Sequence, residues 1–308
     1  MTSLPPLLRA HIYELRDNQP LYLRTLYEGN IAFHGVLLKA SRSPELASIL
    51  WSLQAQGLWE YSAGFGVTME DSALVMDGLL DAGWPQASLR HSLSCLVASF
   101  YSTADEAFHT LFHGRSAYWL GPSLEANAFA VYFIDKLACS EYKAVRDSAL
   151  AYLLRQPFTS LGWRGRWFQQ QSVSNFYVLR ALASAGVDGH NLLPVLIQLI
   201  QTQSLNGSWN SSVLITSLNA LCLGYLIELM PPSCIQLLKP LCPRTAISKA
   251  RLWLMTDEGQ MRQSDPLLYY WYESESPSPA SKRKYFYHCE DLGSICLAWR
   301  SNALSETA

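Results

Sequence analysis

"QTQSLNGSWNSSVLITSLNAL", Gln201–Leu221, places three features in order: a polar segment with Gln203, a glycine two residues before a tryptophan (Gly207, Trp209), and a run with apolar residues at helical spacing. The same order returns along the chain. "GLW" at 57–59 and "GRW" at 165–167 each precede a helical pattern by about a turn of loop, as "GSW" at 207–209 does. "AYWLGPS" at 117–123 and "YYWYE" at 269–273 hold the same place in two further units. The tryptophans at 59, 119, 167, 209 and 271 are thus about 40 to 60 residues apart, the period of a two-helix repeat.

Small and aromatic residues at helical spacing predict one set of helices near 30–41, 68–83, 123–140, 172–186, 211–229 and 288–301. Partner helices are expected near 43–56, 85–102, 142–156, 189–203 and 246–256, and nothing alternates as a strand. Six such hairpins close into an all-α, (α/α)6 toroid whose inner helices line a central cavity. The expected organisation is a single domain over 1–308, with an N-terminal extension at 1–27 and a flexible surface loop at 273–284, "ESESPSPASKRK".

Composition bounds the function. Hydrophobic residues make up 49% and charged residues 16%, enough apolar material for an extensive core. A net charge of -2 and the absence of a Lys/Arg run argue against a nucleic-acid partner. Seven cysteines without a C-x-x-C pair read as reduced thiols in a cytoplasmic protein. No stretch of 18 apolar residues predicts a membrane span, which leaves peripheral membrane contact open.

Gln203, Gly207 and Trp209 resemble the Q-x(2-5)-G-x-W repeat of the squalene-hopene and oxidosqualene cyclase superfamily, and Gln54, Gly57 and Trp59 form a looser second match. The resemblance implies that these tryptophans tie an outer helix to the loop before the next inner helix. "TMEDSA", Thr68–Ala73, resembles the D-x-D-D-T-A motif of class II terpene cyclases. In that register Thr68 replaces the first Asp, Glu70 holds the proton-donor position and Asp71 the fourth. A chain of this length resembles the single-domain meroterpenoid cyclases, of merosterolic acid synthase type.

The residues carry their own reading. A carboxyl group in a dry cavity keeps its proton to higher pH, and a neighbouring carboxylate strengthens that effect. Adjacent helical residues point about 100° apart, so Glu70 and Asp71 cannot both face one substrate atom. Thr68 and Asp71 also fit a capping box; if Asp71 caps, Glu70 is the donor, and otherwise Asp71 is the donor and Glu70 its modulator. Aromatic faces stabilise cations without trapping them, so Trp59, Tyr61, Phe65, Trp119, Trp167, Phe168, Phe176, Tyr177, Trp271 and Tyr287 are candidate substrate-binding residues, with core packing as the alternative role of each. His288, beside Glu290 and Asp291 at the start of the last predicted inner helix, is either a terminating base or a helix-start histidine bonded to backbone. Glu125, near Ser123, is expected to complement a helix N-terminus.

"KYFYHCEDL" also resembles the D-F-Y-H-T-C segment of protein prenyltransferase β subunits, but the Asp-x-Cys that would complete a zinc site is missing from "SSVLITSLNALC", and there is no D-D-x-x-D magnesium motif. No metal and no cofactor are expected. The resemblance implies a metal-independent isomerase that cyclises an apolar prenylated small molecule by an acid-started carbocation cascade. The alternative is a toroid without acid chemistry that binds an isoprenoid or a partner protein.

Overall fold

The computed structural model describes residues 10–16, 19–26, 31–60, 66–111, 120–168, 170–256, 272–274, 283–289, 300 and 303–304. Helices alternate along the chain as the periodicity predicts. One set comprises α1 (Ile31–Ser41), α3 (Met69–Asp81), α5 (Leu124–Lys136), α7 (Gln171–Ser184) and α9 (Val213–Leu229). The other comprises α2 (Pro44–Ser52), α4 (Gln86–Phe100), α6 (Lys143–Arg155), α8 (Leu193–Gln201) and α11 (Pro243–Met255). A short α10 (Pro232–Leu237), which the pattern does not predict, lies between α9 and α11. Burial separates the two layers: eleven of the thirteen residues of α3 are buried, against Ala149 and Leu153 alone in α6. Consecutive inner helices pack side by side, α1 on α3 and onward to α9, the arrangement of an α/α toroid.

A repeated joint fixes each inner helix to the loop before it. Early in α3, Ser72 accepts from the backbone N–H of Trp59 and donates to its carbonyl. Thr216 of α9 treats Trp209 in the same way. Asn127 of α5 accepts from Phe108 N–H and donates back to its carbonyl, while Asn175 of α7 accepts from Trp163 N–H and donates to Leu161 O. The Trp59 and Trp209 indoles each donate to a carbonyl of the preceding outer helix, Leu50 O and Leu199 O. Gln203 Nε2 bridges Gly207 O and Ala246 O, linking the joint to α11. Gly57, Gly162 and Gly207 supply the positive φ these turns need. The repeat is therefore real, but its third tryptophan is Trp163 rather than Trp167, and its second unit uses Phe108 rather than a tryptophan.

Three of the inner helices, α3, α5 and α9, start on side-chain caps: Thr68, Ser123 and Ser212 accept from the backbone N–H of Asp71, Ala126 and Ile215. The α1–α3 contact is closest where Gly35 faces Gly78, since a Cβ on either glycine would run into backbone of the other helix.

Strands depart from the prediction. β1 (Ala10–Arg16) pairs antiparallel with β2 (Gln19–Leu26) and with β6 (Arg283–Cys289), which also pairs with β5 (Tyr272–Ser274). A two-residue pair, β3 (Tyr101–Ser102) and β4 (Ala107–Phe108), follows α4. The signal was weak because both faces of "AHIYELR" and "QPLYLRTL" mix polar and apolar residues, and because β6 lies far away in sequence. The described residues of the N-terminal extension, 10–16 and 19–26, are thus sheet, and the segment 273–284 contributes Glu273–Ser274 to β5 and Arg283–Lys284 to β6. The sixth inner helix, expected from 288, is corrected at its start: Tyr287, His288 and Cys289 are strand, opposite Ile12, His11 and Ala10. Most of the remainder of that segment is outside the described residues. Among the described residues no helix is long and apolar enough to cross a membrane.

Candidate active site

The Thr68 hydroxyl caps α3 at Asp71 N–H and is also bonded to Asp71 Oδ2. Asp71 is therefore tied to the helix cap, although its carboxylate accepts from the Thr68 hydroxyl and not from the Thr68 backbone N–H that a capping box uses, and its buried Oδ1 has no hydrogen-bond partner among the described residues. Glu70, one position earlier, is directed elsewhere. Its Oε1 accepts from Ser123 Oγ at 2.6 Å, Thr110 Oγ1 at 2.7 Å and Trp167 Nε1 at 3.1 Å. The Trp167 N–H also lies 2.9 Å from Thr110 Oγ1. Glu70 Oε2, though buried, has no hydrogen-bond partner among the described residues. Both acids lie inside the protein, with Glu70 2% exposed and Asp71 3%. Burial pushes the Glu70 carboxyl up to about 7, against the Ser123 and Thr110 hydrogen bonds and with help from the Glu125 charge. Burial raises Asp71 to about 6, against its bond from Thr68.

Glu125 occupies on α5 the place Glu70 occupies on α3, two residues after the cap. It is fully buried, accepts from Ser174 Oγ at 3.1 Å and from Arg166 N–H at 3.4 Å, and burial raises its pKa. No Cβ fits at Gly165 between Glu125 and Ser174. Its place thus goes beyond complementing a helix N-terminus: it adds a third acid to the interior, after Glu70 and Asp71.

Seven residues beyond Glu70, two helical turns and the same face, stands Asp77. Its carboxylate receives Arg180 Nη1 of α7 at 2.8 and 2.9 Å and lies 3.6 Å from Lys39 Nζ of α1. Burial opposes ionisation of Asp77, but the Arg180 and Lys39 charges outweigh it and hold its pKa below the usual value. Since α5 lies between α3 and α7 in the ring, this ion pair crosses the interior. Glu70 shares that inward face.

Aromatic rings connect the two levels. Phe168 follows Trp167 and lies 5.9 Å from the Tyr177 ring, which is 4.5 Å from Phe129 and 5.1 Å from Phe176. The Arg180 guanidinium stands 3.8 Å over Tyr132 and 5.2 and 5.3 Å from Tyr177 and Phe176. Of the predicted aromatic residues, Trp167, Phe168, Phe176 and Tyr177 are therefore brought together between Glu70 and Arg180. Trp59 is not among them; it sits in the repeat joint, 5.9 Å from Trp51. Tyr61, Phe65, Trp119, Trp271, Glu290 and Asp291 are outside the described residues, and Tyr287 and His288 are placed by their strand backbone alone. Sequence reasoning missed Thr110, Ser123 as a donor to Glu70, and the Asp77–Arg180 pair. The last had a signal: one acid in "SALVMDGLL" and one arginine in "NFYVLRALA", each inside an apolar inner helix.

No protein-family model matches the sequence, and no curated protein does. Solved structures do match. The ent-copalyl diphosphate synthase from Streptomyces platensis superposes with a TM-score of 0.65 at 17% identity, over 95% of this chain and 53% of that one. The type II terpene cyclase MstE from Scytonema gives 0.61 at 13% identity, over 95% and 90% of the two chains. The fold is theirs. The type II terpene cyclase fold thus extends over nearly all of this chain, which spans about half the length of the Streptomyces enzyme. A protein from Actinoplanes matches at 0.63 and 14% identity, over 96% and 93%. A variant of MstE is known in complex with its substrate, geranylgeranyl dihydroxybenzoate, at a TM-score of 0.59, 14% identity, and 90% and 86% coverage.

Proposed function

We propose that the protein is a class II terpene cyclase acting on a prenyl chain, with Glu70 as the proton donor. The observation that carries this reading is the state of the Glu70 carboxyl: three donors converge on Oε1 while buried Oε2 has none. A carboxylic acid in that setting carries its proton on Oε2. It remains protonated to about pH 7, and its conjugate base is stabilised in advance by the donors on Oε1. The proton passes from Oε2 to the terminal alkene of the prenyl chain, forming a C–H bond and a tertiary cation. Internal alkenes then close rings onto the cation, and loss of a proton from the last cation ends the cascade. The product is an isomer of the substrate, and Glu70 regains its proton from solvent. Trp167, Phe168, Phe176 and Tyr177 offer π faces along the path of the charge. Asp71 holds the helix start through Thr68. Fold neighbours that take prenylated substrates support a substrate of that kind, a prenylated aromatic being the first to try.

The experiment is incubation of purified protein, without added metal, with farnesylated and geranylgeranylated aromatic acids, analysed for a product of equal mass. An isomer formed by the wild type and abolished in Glu70→Gln supports the assignment. Binding without isomer formation across the series would make the protein an isoprenoid-binding toroid instead.

A further inference from the structure

Glu125 has no counterpart on α7 or α9. Ser72, Asn127, Asn175 and Thr216 make the repeat joint on α3, α5, α7 and α9, and two residues before each stand Glu70, Glu125, Val173 and Leu214. All four are buried, so α7 and α9 complete the same turn with an apolar side chain. The start of α5 does not require the acid either, since Ser123 already caps it at Ala126 N–H. A carboxyl group without exposed surface costs stability unless donors meet its oxygens. The donors that meet Glu125 come from one place, the entry to α7.

Residues 165–167 lie between the Trp163 joint and α7, outside any helix or strand. Their backbone rests on Glu125: Arg166 N–H donates to Oε2 at 3.4 Å, and the Trp167 backbone N–H bonds to the same carboxyl group. Ser174 Oγ, in the first turn of α7, donates to Oε1 at 3.1 Å. Gly165 lies flat against that pair, because a Cβ there would run into Glu125 Oε1 and Ser174 Oγ. The Arg166 side chain donates to Leu120 O at 3.0 Å and Gly121 O at 3.4 Å, which ties the segment to the approach to α5 as well. Trp167 thus has its backbone on one acid and its indole on another: Nε1 is 3.1 Å from Glu70 Oε1 and 2.9 Å from Thr110 Oγ1. An indole N–H points in one direction, and its bond is lost if the backbone that carries it shifts by about 1 Å.

Resting on the reading of Glu70 as the proton donor, we propose that Glu125 is a positioning residue of the cyclase: it fixes the backbone of residues 165–167 so that the Trp167 indole meets Glu70 Oε1. The first turn of α5 then governs two of the three donors on that oxygen, Ser123 directly and Trp167 through Glu125. The oxygens of Glu125 are taken up by the loop and Ser174, so its effect on the rate passes through Trp167.

The test reads the indole and the rate separately. In nuclear magnetic resonance spectra of protein with isotope-labelled tryptophan, the Trp167 indole N–H is the signal that disappears in Trp167→Phe. Glu125→Leu should move this signal through loss of the bond to Glu70, whereas Glu125→Gln, which keeps an acceptor for the backbone N–H groups, should hold it near its wild-type position. Turnover is compared at a pH where Glu70 stays protonated. Glu125→Leu should lower kcat by about 10- to 100-fold with KM little changed, as expected for Trp167→Phe, and Glu125→Gln should recover most of that loss. Glu125→Leu combined with Trp167→Phe should be no slower than the slower single variant, because both remove one interaction. An indole signal unmoved in Glu125→Leu, or rate losses that multiply in the double variant, overturns the proposal. If Glu125→Leu does not fold, Gly165→Ala takes its place, since its Cβ pushes the loop off Glu125 with every side chain of the site retained. If the wild type forms no isomer, the cyclase reading falls while the indole signal still decides whether Glu125 positions Trp167; isomer formation with multiplying losses does the reverse.

Discussion

Trp167 Nε1 lies 3.1 Å from Glu70 Oε1, joining the loop before α7 to the first turn of α3 across 97 residues of sequence. This indole donates to the oxygen that gains charge when the proton leaves. A hydrogen bond to a charged group contributes about 1.5–3 kcal/mol, so Trp167→Phe should lower kcat by about 10- to 100-fold. Fewer donors to the carboxylate also raise its pKa, so the alkaline limb of the rate profile should move to higher pH. A slower enzyme with an unmoved limb would show that Trp167 acts through packing alone.

The two adjacent acids should separate cleanly. Glu70→Gln removes the donor and should cost three or more decades in rate, within the range of about 10²- to 10⁴-fold for positioned acid catalysis. Asp71→Asn keeps an acceptor for the Thr68 hydroxyl and should cost less than about tenfold, with a modest loss of thermal stability. The reverse ranking in single-turnover assays would make Asp71 the donor.

Stability should depend on pH through Glu70. The carboxyl carries its proton to about pH 7 in the fold but only to about 4.5 when unfolded, so between those values the native state holds the extra proton. Stability therefore falls as pH rises across that window, by about 3 kcal/mol, and levels off above it. Asp71 acts in the same sense between 3.8 and about 6. Urea unfolding of Glu70→Gln should show a shallower decline between pH 4.5 and 7 than the wild type. Identical slopes would contradict burial of a neutral Glu70. Activity should decline through about pH 7 for the same reason, because the ionised form has no proton to give.

Gly78→Ala tests the α1–α3 contact. Its Cβ would meet the Gly35 carbonyl oxygen, a backbone atom that cannot rotate away. Overpacking of this kind costs about 1–3 kcal/mol, seen as a reduced melting temperature. An unchanged melting temperature would mean that the two helices are farther apart than described.

The helical frame was legible because each inner helix opens on a Ser, Thr or polar turn and then runs apolar, as Thr68, Ser123 and Ser212 illustrate. Spacing within one turn offers Asp71 a capping role but leaves open which of the two acids faces inward, because the donors that meet Glu70, on Thr110, Ser123 and Trp167, are 40, 53 and 97 residues away in sequence. The choice among tryptophans was not legible either. Trp163 and Trp167 stand four residues apart, each close behind a glycine, and which one enters the joint is decided by Asn175, a residue that the motif does not contain. The Asp77–Arg180 pair was hidden for a similar reason: 103 residues separate the partners, and periodicity says which face a side chain occupies without saying what stands opposite. The strands failed locally, because neither face of β1 or β2 is uniformly apolar.

β1 and β6 pair Ile12 with Tyr287, residues 275 positions apart in sequence. During synthesis Ile12 emerges long before its partner exists, while each helical hairpin can close on contacts within a few dozen residues. Contacts distant in sequence form late, because the chain must first lose the entropy of the loop between them. The sheet is therefore the clasp fastened after the ring has assembled, and a nascent chain waiting for Tyr287 holds β1 with a free strand edge on which a chaperone could act.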